Sequence, residues 1–324
     1  MRAVVFAGAG GNEVIRLDEL PDPVPGSEEV LVRVTHAGLN PADLSQREGS
    51  YPAPPGSPRD IPGLEVSGTV EACGAQVLGW QPGDRVFGLV GGGGLADRVV
   101  VHQRCVTAVP DALDEPGAAA VPEAFITAHD AIRIQSALSM GETLLVHGAA
   151  GGVGSAAVQI GVATGARVFG SVRSADAAAF VRELGGEPVD DAGFADAVLA
   201  ATDGRGADVV IELVGAPHFP DNLRAVAVQG RIIIVGLGAG AEVSMVLRQL
   251  MARRVSLRGT MLRARPLEQK AQAVRAFEHE VVPHLASGRV RPVIDRVFPF
   301  EHAVEAFERL AASGKRGKVL LRFP

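Results

Sequence analysis

Residues 143–157 read TLLVHGAAGGVGSAA, and this stretch decides the fold. A short apolar run breaks into a glycine-dense turn, and small residues then resume with helical character, which predicts strand, turn and helix. Such a unit brings the N–H groups of a helix N-terminus to the end of a strand, where they can hold a pyrophosphate. No lysine follows Gly154, which excludes the phosphate loop of ATP and GTP hydrolases. Ala149 stands where the first glycine of the dinucleotide-binding fingerprint is expected, so from this motif alone a simple tight turn stays the alternative.

Alternating strands and helices follow this unit. Predicted strands, each preceded by a helix-compatible segment, cover residues 167–172, 208–213 and 231–235. That alternation predicts a parallel, doubly wound sheet, with the fingerprint on the first strand of a Rossmann domain. Within the loop, Gly151 and Gly152 let the main chain approach an anion, and Gly154 removes a side chain where helix presses on sheet.

The chain on either side of this domain has a different pattern. Residues 1–120 contain short apolar runs between Pro- and Gly-rich turns such as PDPVPG, which predicts a compact, mostly antiparallel barrel. After about residue 260 the pattern predicts a helix at 267–286, a strand at 293–298, a helix at 301–312 and a final strand at 318–322 that rejoins the first domain. We therefore predict an α/β protein with a mostly-β barrel domain (1–120 and 264–324) and a doubly wound Rossmann domain (121–263).

Composition excludes several classes of function. The formal net charge of −6 and the absence of basic runs argue against binding nucleic acid or an anionic membrane surface. Residues 143–166 carry no formal charge if His147 is neutral, but their glycines favour a soluble fold over a membrane span. Cys73 and Cys105 are too few for a disulfide framework or a zinc cluster, and they suit a reducing compartment. The N-terminus lacks the features of a signal peptide, so we expect a cytoplasmic protein.

The layout and several motifs resemble the medium-chain dehydrogenase/reductase superfamily, and within it the zinc-free quinone oxidoreductases. The motifs are GLNPADLSQREGSYPAPPG (38–56), IPGLEVSG (61–68), PGDRVFGL (82–89), AAAVPEAFITAHDAI (118–132), HGAAGGVG (147–154) and GTMLRARP (259–266). The resemblance implies a GroES-like barrel domain, a homodimer, and a small-molecule quinone or enone as substrate.

The zinc ligands of the superfamily's alcohol dehydrogenases are missing. Asn40, Leu64 and Glu123 stand at the three ligand positions, and they do not supply the soft or imidazole donors that a catalytic zinc requires. We therefore predict no metal ligands. Without a Lewis acid the acceptor must itself be electron-poor, as quinones and α,β-unsaturated carbonyl compounds are when they accept hydride from a reduced nicotinamide. We predict an NADPH-dependent quinone oxidoreductase. The alternatives are a reductase of the C=C bond of an enal or enone, and a non-catalytic NADPH-binding structural or regulatory protein.

The resemblance assigns roles to residues of the reaction site. It implies that Asn40 hydrogen-bonds the cofactor ribose or the acceptor oxygen, whereas an Asx turn before a proline is the structural alternative. Tyr51 is expected to line the pocket and to offer its hydroxyl to a quinone oxygen, or else to anchor its loop. Thr127 resembles the threonine that meets the nicotinamide, and Gly236 and Leu237 are expected to present backbone groups to the same ring.

Four further positions receive mainly structural interpretations. Asp43 is expected to cap a short helix, and Glu65 to fix a loop through backbone hydrogen bonds. Glu123 is predicted to orient substrate, to form a salt bridge with an arginine such as Arg263, or to cap a helix. His147 receives no role, and the other histidines show no ligand pattern.

The end of the second strand of the Rossmann domain indicates NADPH. About 20 residues after the glycines, where an acidic residue would bind the ribose of NAD, the sequence has Ser171 and Arg173, which can bind a 2′-phosphate. Two features of the family are missing here. The lysine that the family commonly has early in the following helix is replaced by Ala177. The tyrosine that the family has before the helix after that is absent, and Asp190 and Asp191 lie near its position. Lys315, Arg316 or Lys318 is expected to supply the lost positive charge. The predicted cofactor-binding residues are Ala149, Gly151, Gly152, Val153, Gly154, Ser171, Arg173, Gly236, Leu237 and Lys318.

Overall fold

The computed structural model describes residues 1–324, which form two compact units. The first unit comprises Met1–Ile126 and Leu262–Pro324, and the second comprises Thr127–Met261. The boundaries predicted from the sequence, after residues 120 and 263, fall close to these positions.

Strands and helices follow one another along the chain. The strands are β1 Arg2–Phe6, β2 Ile15–Glu19, β3 Glu29–Leu39, β4 Glu65–Cys73, β5 Arg85–Leu89, β6 Arg98–His102, β7 Val106–Ala108, β8 Thr143–Val146, β9 Arg167–Val172, β10 Glu187–Asp190, β11 Ala207–Glu212, β12 Val226–Ile234, β13 Ser256–Gly259, β14 Ile294–Pro299 and β15 Lys318–Arg322. The α-helices are α1 Pro41–Arg47, α2 Glu115–Ala119, α3 Pro122–His129, α4 Gly152–Thr164, α5 Ala175–Glu183, α6 Phe194–Ala201, α7 Phe219–Ala225, α8 Leu247–Arg253, α9 Leu267–Glu280, α10 Val282–Ala286 and α11 Ala303–Ala311. A π-helix spans Asp130–Gln135.

The first unit is built on a seven-stranded sheet. Its order is β14-β15-β3-β4-β5-β7, with β6 also paired to β3, and only the β14–β15 pair is parallel. The last strand pairs antiparallel with β3, with Val319 opposite Leu39, so the C-terminal segment does rejoin the first domain. Alternating inward residues of β3 and β4 pack with Phe307 of α11 in one apolar core. Burial of this apolar surface stabilises the packing of the C-terminal segment on the first unit.

The second unit is a doubly wound parallel sheet of order β10-β9-β8-β11-β12-β13. Counted from β8, this is the 3-2-1-4-5-6 order of dinucleotide-binding domains. The strand order reverses between β8 and β11, and ligands of such sheets bind outside the carboxyl ends of the strands at this point. The predicted fold class is therefore confirmed.

Two predicted features differ in detail. The helix predicted over 267–286 is broken at Val281 into α9 and α10, because Pro283 lies in the first turn of α10 and lacks the N–H that a continuous helix needs. The uncharged stretch 143–166 forms β8, a loop and α4, and no helix of the chain has both the length and the apolar character that a membrane span requires.

Candidate functional site

The loop between β8 and α4 has the geometry of an anion site. Gly148 adopts a left-handed φ of +55°, and Gly151, the N-cap of α4, donates its N–H to Gly148 O at 3.0 Å. A Cβ on Gly154 would lie 2.2 Å from Gly148 O, so only glycine fits there. The N–H groups of Gly152, Val153 and Gly154 open the helix without intrahelical acceptors, and its first turn has no acidic side chain. These amides can hold a pyrophosphate.

Ala149 replaces the first glycine of the dinucleotide-binding fingerprint, and Gly170 on β9 makes room for its side chain. Ala149 is fully buried, and a Cβ on Gly170 would lie 2.7 Å from the Ala149 methyl group. The absent side chain on the strand therefore makes room for the methyl group in the loop. Ala149 also donates its N–H to Ser171 O at 3.3 Å, which fixes the loop on the sheet.

A cavity of about 320 Å³ lies between α5 and the ends of β9 and β10. Arg173 and Arg182 line it together with Ser174, the N-cap of α5, and Asp190. Neither guanidinium forms an ion pair, so both are available to an anionic ligand. The sequence prediction included Arg173 but missed Arg182, whose place on the cavity side follows from its helical spacing of seven residues from Ala175.

Ser171 does not face that cavity. Its side chain is 1% exposed, and its hydroxyl donates to Asp191 Oδ1 at 2.9 Å while lying 2.9 Å from His147 Nδ1. Because its hydroxyl is buried and used inside the protein, the structure gives no support to the predicted contact of Ser171 with a 2′-phosphate.

The same hydroxyl belongs to a buried polar cluster at the carboxyl ends of the strands. Asn222 Nδ2 donates to Glu212 Oε2 at 2.6 Å, and its Oδ1 lies 2.7 Å from His147 Nε2. His218 Nε2 lies 3.3 Å from Asp191 Oδ2, and the carboxylates of Asp191 and then Glu212 raise the pKa of His218 to about 9. Burial lowers the pKa of His147. The meeting of these two histidines was missed by sequence reasoning, because they are far apart in the chain and no short motif links them.

Three predicted nicotinamide contacts lie in this unit. Thr127 on α3 is 9% exposed, and its Oγ1 is buried without a hydrogen-bond partner. Such an orphaned hydroxyl suits a polar ligand group. Gly236 donates its N–H to Glu212 O at 3.1 Å, so of its two backbone groups only the carbonyl is free for a ligand. Leu237, next along the chain, is 50% exposed.

In the first unit, Lys318 is buried rather than placed at a phosphate. It is 4% exposed, pairs with Glu65 Oε1 at 2.5 Å, and donates to Asn40 Oδ1 at 2.5 Å and to Leu39 O at 2.9 Å. Two hydrogen bonds and one ion pair therefore hold the ammonium group inside the protein. Because the ammonium group is buried and partnered, the structure gives no support to Lys318 among the three residues predicted to supply positive charge to the cofactor.

Asn40 is held between the two members of this ion pair. Its Nδ2 donates to Glu65 Oε1 at 2.9 Å, and its backbone N–H donates to Asp43 Oδ2 at 2.8 Å. Asn40 is the N-cap of α1, and Asp43 closes the capping box, so capping by Asp43 is confirmed. Asp43 also accepts the N–H of Gly63 at 3.0 Å, and burial raises its pKa to about 6. The amide that was predicted to bind the cofactor or acceptor is thus engaged internally.

Glu123 is the unpaired carboxylate of this cluster. Its backbone N–H donates to Glu65 Oε2 at 2.8 Å, so Glu65 holds the first turn of α3, whereas the sequence predicted that it fixes a loop. The Glu123 carboxylate itself is partly buried and has no hydrogen-bond or ion-pair partner. Burial, and then the negative charge of Glu65, raise its pKa to about 7.

Arg263 anchors the loop that carries Tyr51. Its guanidinium donates to Gly91 O at 2.8 Å, to Tyr51 O at 3.2 Å and to the side chain of Gln46, and it lies 5.2 Å from the centre of the Tyr51 ring. The predicted salt bridge between Glu123 and Arg263 is not formed, because these groups occupy the guanidinium. Tyr51 is partly buried, and burial raises the pKa of its hydroxyl.

Comparison with known proteins gives a consistent result. Two family models match: the alcohol dehydrogenase GroES-like domain over residues 26–111 and the zinc-binding dehydrogenase domain over residues 152–278. A quinone oxidoreductase of Lama guanicoe is 33% identical over 99% of this chain and 97% of its own. The solved structure of mycobacterial Rv1454c complexed with NADPH has a TM-score of 0.89 at 28% identity, covering 99% of this chain and 100% of that one. The CurK enoyl reductase has a TM-score of 0.87 at 26% identity, covering 100% and 99%.

Proposed function

The chain belongs to the medium-chain dehydrogenase/reductase superfamily, and from that premise we propose that it is an NADPH-dependent quinone oxidoreductase that needs no metal for hydride transfer. The observation that carries the proposal is the Lys318 ammonium, 2.5 Å from the amide oxygen of Asn40. Asn40 stands at a zinc-ligand position of the superfamily's alcohol dehydrogenases. Because its side-chain oxygen accepts from Lys318 and its side-chain nitrogen donates to Glu65 at 2.9 Å, its amide is not available as a zinc ligand. Leu64, at the second ligand position, offers only a buried apolar side chain.

NADPH would be held by groups of the second unit. The free N–H groups at the start of α4 suit the pyrophosphate, and Arg173 and Arg182 suit a 2′-phosphate. The buried, unpartnered hydroxyl of Thr127 suits a polar group of the nicotinamide. The NADPH complex of the mycobacterial relative supports this choice of cofactor. When bound, NADPH supplies the hydride.

The acceptor follows from the missing Lewis acid. A quinone takes up a hydride and one proton to give the hydroquinone, and it does so without a metal to polarise its oxygen. The Tyr51 hydroxyl is the proposed proton donor, and its raised pKa keeps it protonated at neutral pH. The quinone oxidoreductase of Lama guanicoe, similar over nearly the whole chain, supports this acceptor class.

The test is the loss of NADPH absorbance with an ortho-quinone in the presence of a metal chelator. We expect saturable turnover. Turnover that the chelator abolishes and zinc restores, in protein that keeps its folded circular dichroism spectrum throughout, would contradict the metal-free proposal.

A second candidate is reduction of the C=C bond of an enal or enone. The similarity to the CurK enoyl reductase over the whole chain supports it. Binding of NADPH without quinone turnover, together with turnover of an enone, would select this function. Binding without turnover of either acceptor would instead favour a structural or regulatory NADPH-binding role.

We also propose a homodimer in the cytoplasm. Strand β13 lies at the edge of the second unit's sheet, all four of its residues are exposed, and nearby α8 exposes Leu247 and Met251. An uncovered edge of this kind is a template for pairing with a second copy. Cys73 and Cys105 are both free, which favours a reducing compartment.

A further inference from the structure

We propose that His147, Glu212 and His218 bind one divalent metal ion of the zinc type inside the second unit, at a site that the proposed hydride chemistry does not use. His147 follows β8, Glu212 ends β11 and His218 lies just before α7. Because β8 and β11 are neighbours in the sheet, the doubly wound strand order brings their carboxyl ends together.

The donor atoms are spaced for coordination. Glu212 Oε2 lies 3.8 Å from His147 Nε2 and 3.6 Å from His218 Nδ1. One possible ligand atom from each of the three residues lies within 4.8 Å of the other two. Zinc bonds of about 2.0–2.2 Å in a tetrahedral arrangement hold ligand atoms roughly 3.4 Å apart. To close the three donors around one ion, the Asn222 amide must move, because it now hydrogen-bonds both His147 Nε2 and Glu212 Oε2.

One donor lacks any other partner. His218 is 8% exposed, and its Nδ1 is buried without a hydrogen bond while it faces Glu212. A buried polar atom without a hydrogen bond is unfavourable. A metal ion between His218 and Glu212 would satisfy this nitrogen.

The outer nitrogens of both histidines are held as in known metal sites. His147 Nδ1 lies 2.9 Å from Ser171 Oγ, which donates to Asp191, and His218 Nε2 lies 3.3 Å from Asp191 Oδ2. Histidine ligands of metals usually donate their second N–H to such an outer group, which fixes the ring orientation. Asp191 therefore supports both rings.

Charge and ligand type select the ion. Glu212 is buried and Asp191 is partly buried, and a divalent cation would balance these two carboxylates after His218 releases the proton that it holds between them. Two nitrogens and one carboxylate oxygen suit zinc rather than magnesium or calcium, which take oxygen ligands. Asn222 Oδ1, 2.7 Å from His147 Nε2, is the nearest further oxygen for a fourth position.

The test uses the untagged full-length chain after chelator treatment and dialysis. Zn²⁺ is titrated by calorimetry, Co²⁺ is titrated by its visible absorption, and thermal unfolding is recorded with and without Zn²⁺. We expect one ion per chain, the absorption bands of tetrahedral Co²⁺, and a higher Tm with the ion bound. We expect about 100-fold weaker binding for Glu212→Gln and His218→Asn, and about 10-fold weaker binding for Asp191→Asn.

His302→Ala is the control, since His302 is an exposed histidine of the first unit paired only with Glu305. It should bind Zn²⁺ as the wild type does. Circular dichroism checks each variant, and if Glu212→Gln does not fold, His218→Asn and Asp191→Asn decide. If the wild type takes up no stoichiometric ion, or His218→Asn binds it equally well, the proposal is overturned and the cluster is a His218 ion pair with Asp191 and Glu212.

Discussion

Lys318 at the start of β15 and Glu65 at the start of β4 form a buried ion pair with an N–O distance of 2.5 Å. The two residues are 4% and 0% exposed, and Asn40 hydrogen-bonds both of them. The pair ties the C-terminal strand to the N-terminal part of the first unit. Breaking it from one side leaves a buried charge without a partner, which is far more costly than replacing both charges together.

We expect Lys318→Met to lower the free energy of unfolding by about 3–5 kcal/mol, and Lys318→Met with Glu65→Gln to restore much of that loss. Urea denaturation followed by fluorescence of Trp80, the single tryptophan and a residue of the first unit, measures this. Arg104→Met, which breaks the exposed pair with Glu268, is the matched control and should cost less than about 1 kcal/mol. An equal loss in the single and double variants would contradict a coupled pair.

Glu123 should make stability depend on pH. Its pKa is raised from 4.5 to about 7, so between these values the folded chain holds a proton that the unfolded chain has released. Stability therefore falls as pH rises through this window. Asp43, raised from 3.8 to about 6, acts in the same direction.

Glu123→Gln removes the part of the pH dependence of stability that arises from the Glu123 carboxyl group. Relative to the wild type, the variant should gain up to about 3 kcal/mol of stability as the pH rises from about 4.5 to about 7. Urea denaturation of both proteins at several pH values in this window measures the gain. A stability difference that stays constant with pH would show that the carboxyl group titrates normally.

Gly154 should be essential to the nucleotide loop. In Gly154→Ala the new Cβ would meet Gly148 O at 2.2 Å, so the loop must shift, and we expect NADPH affinity to fall more than about 10-fold. Gly193→Ala is the matched control, because Gly193 has a negative φ and no atom lies within 4 Å of the added Cβ. Fluorescence titration with NADPH measures both variants. Unchanged affinity in Gly154→Ala would mean that this loop does not bind the pyrophosphate.

The local sequence pattern predicted the secondary structure and the fold. The partners of the buried polar side chains, in contrast, depend on packing between residues far apart in the chain. β8, α4 and β15 follow from the apolar and glycine spacing of adjacent residues, which the sequence shows directly. The contacts of Ser171 and Lys318 depend on partners such as Asp191 and Glu65, and residue type alone does not specify these partners. For the same reason the approach of His147 to His218 could not be predicted.

The edge strand β13 offers a test of the oligomeric state. We expect the wild type to sediment as a dimer at micromolar concentration. We expect Leu257→Pro, which removes one N–H of β13, to shift the equilibrium toward monomer. Val228→Asp, at another exposed apolar residue of the same unit, is the control for a general surface effect. A wild type that sediments only as a monomer would contradict the proposed dimer.

Arg173 and Arg182 should distinguish NADPH from NADH. Both guanidiniums line the cavity beside α5 without ion pairs, and only NADPH offers them a 2′-phosphate. Hydrogen bonds to charged groups contribute about 1.5–3 kcal/mol, so we expect Arg173→Ala to raise the KM for NADPH about 10- to 100-fold and to leave the KM for NADH little changed. Arg182→Ala should act in the same direction, because Arg182 supplies a positive charge on α5, the helix in which Ala177 replaces the family's lysine. Arg224→Ala, an exposed arginine of the same unit already paired with Asp196 and Asp221, should change neither KM. Steady-state kinetics with NADPH and with NADH measures both KM values for each variant. An equal rise in the two KM values would show that these arginines bind the nucleotide without contacting its 2′-phosphate.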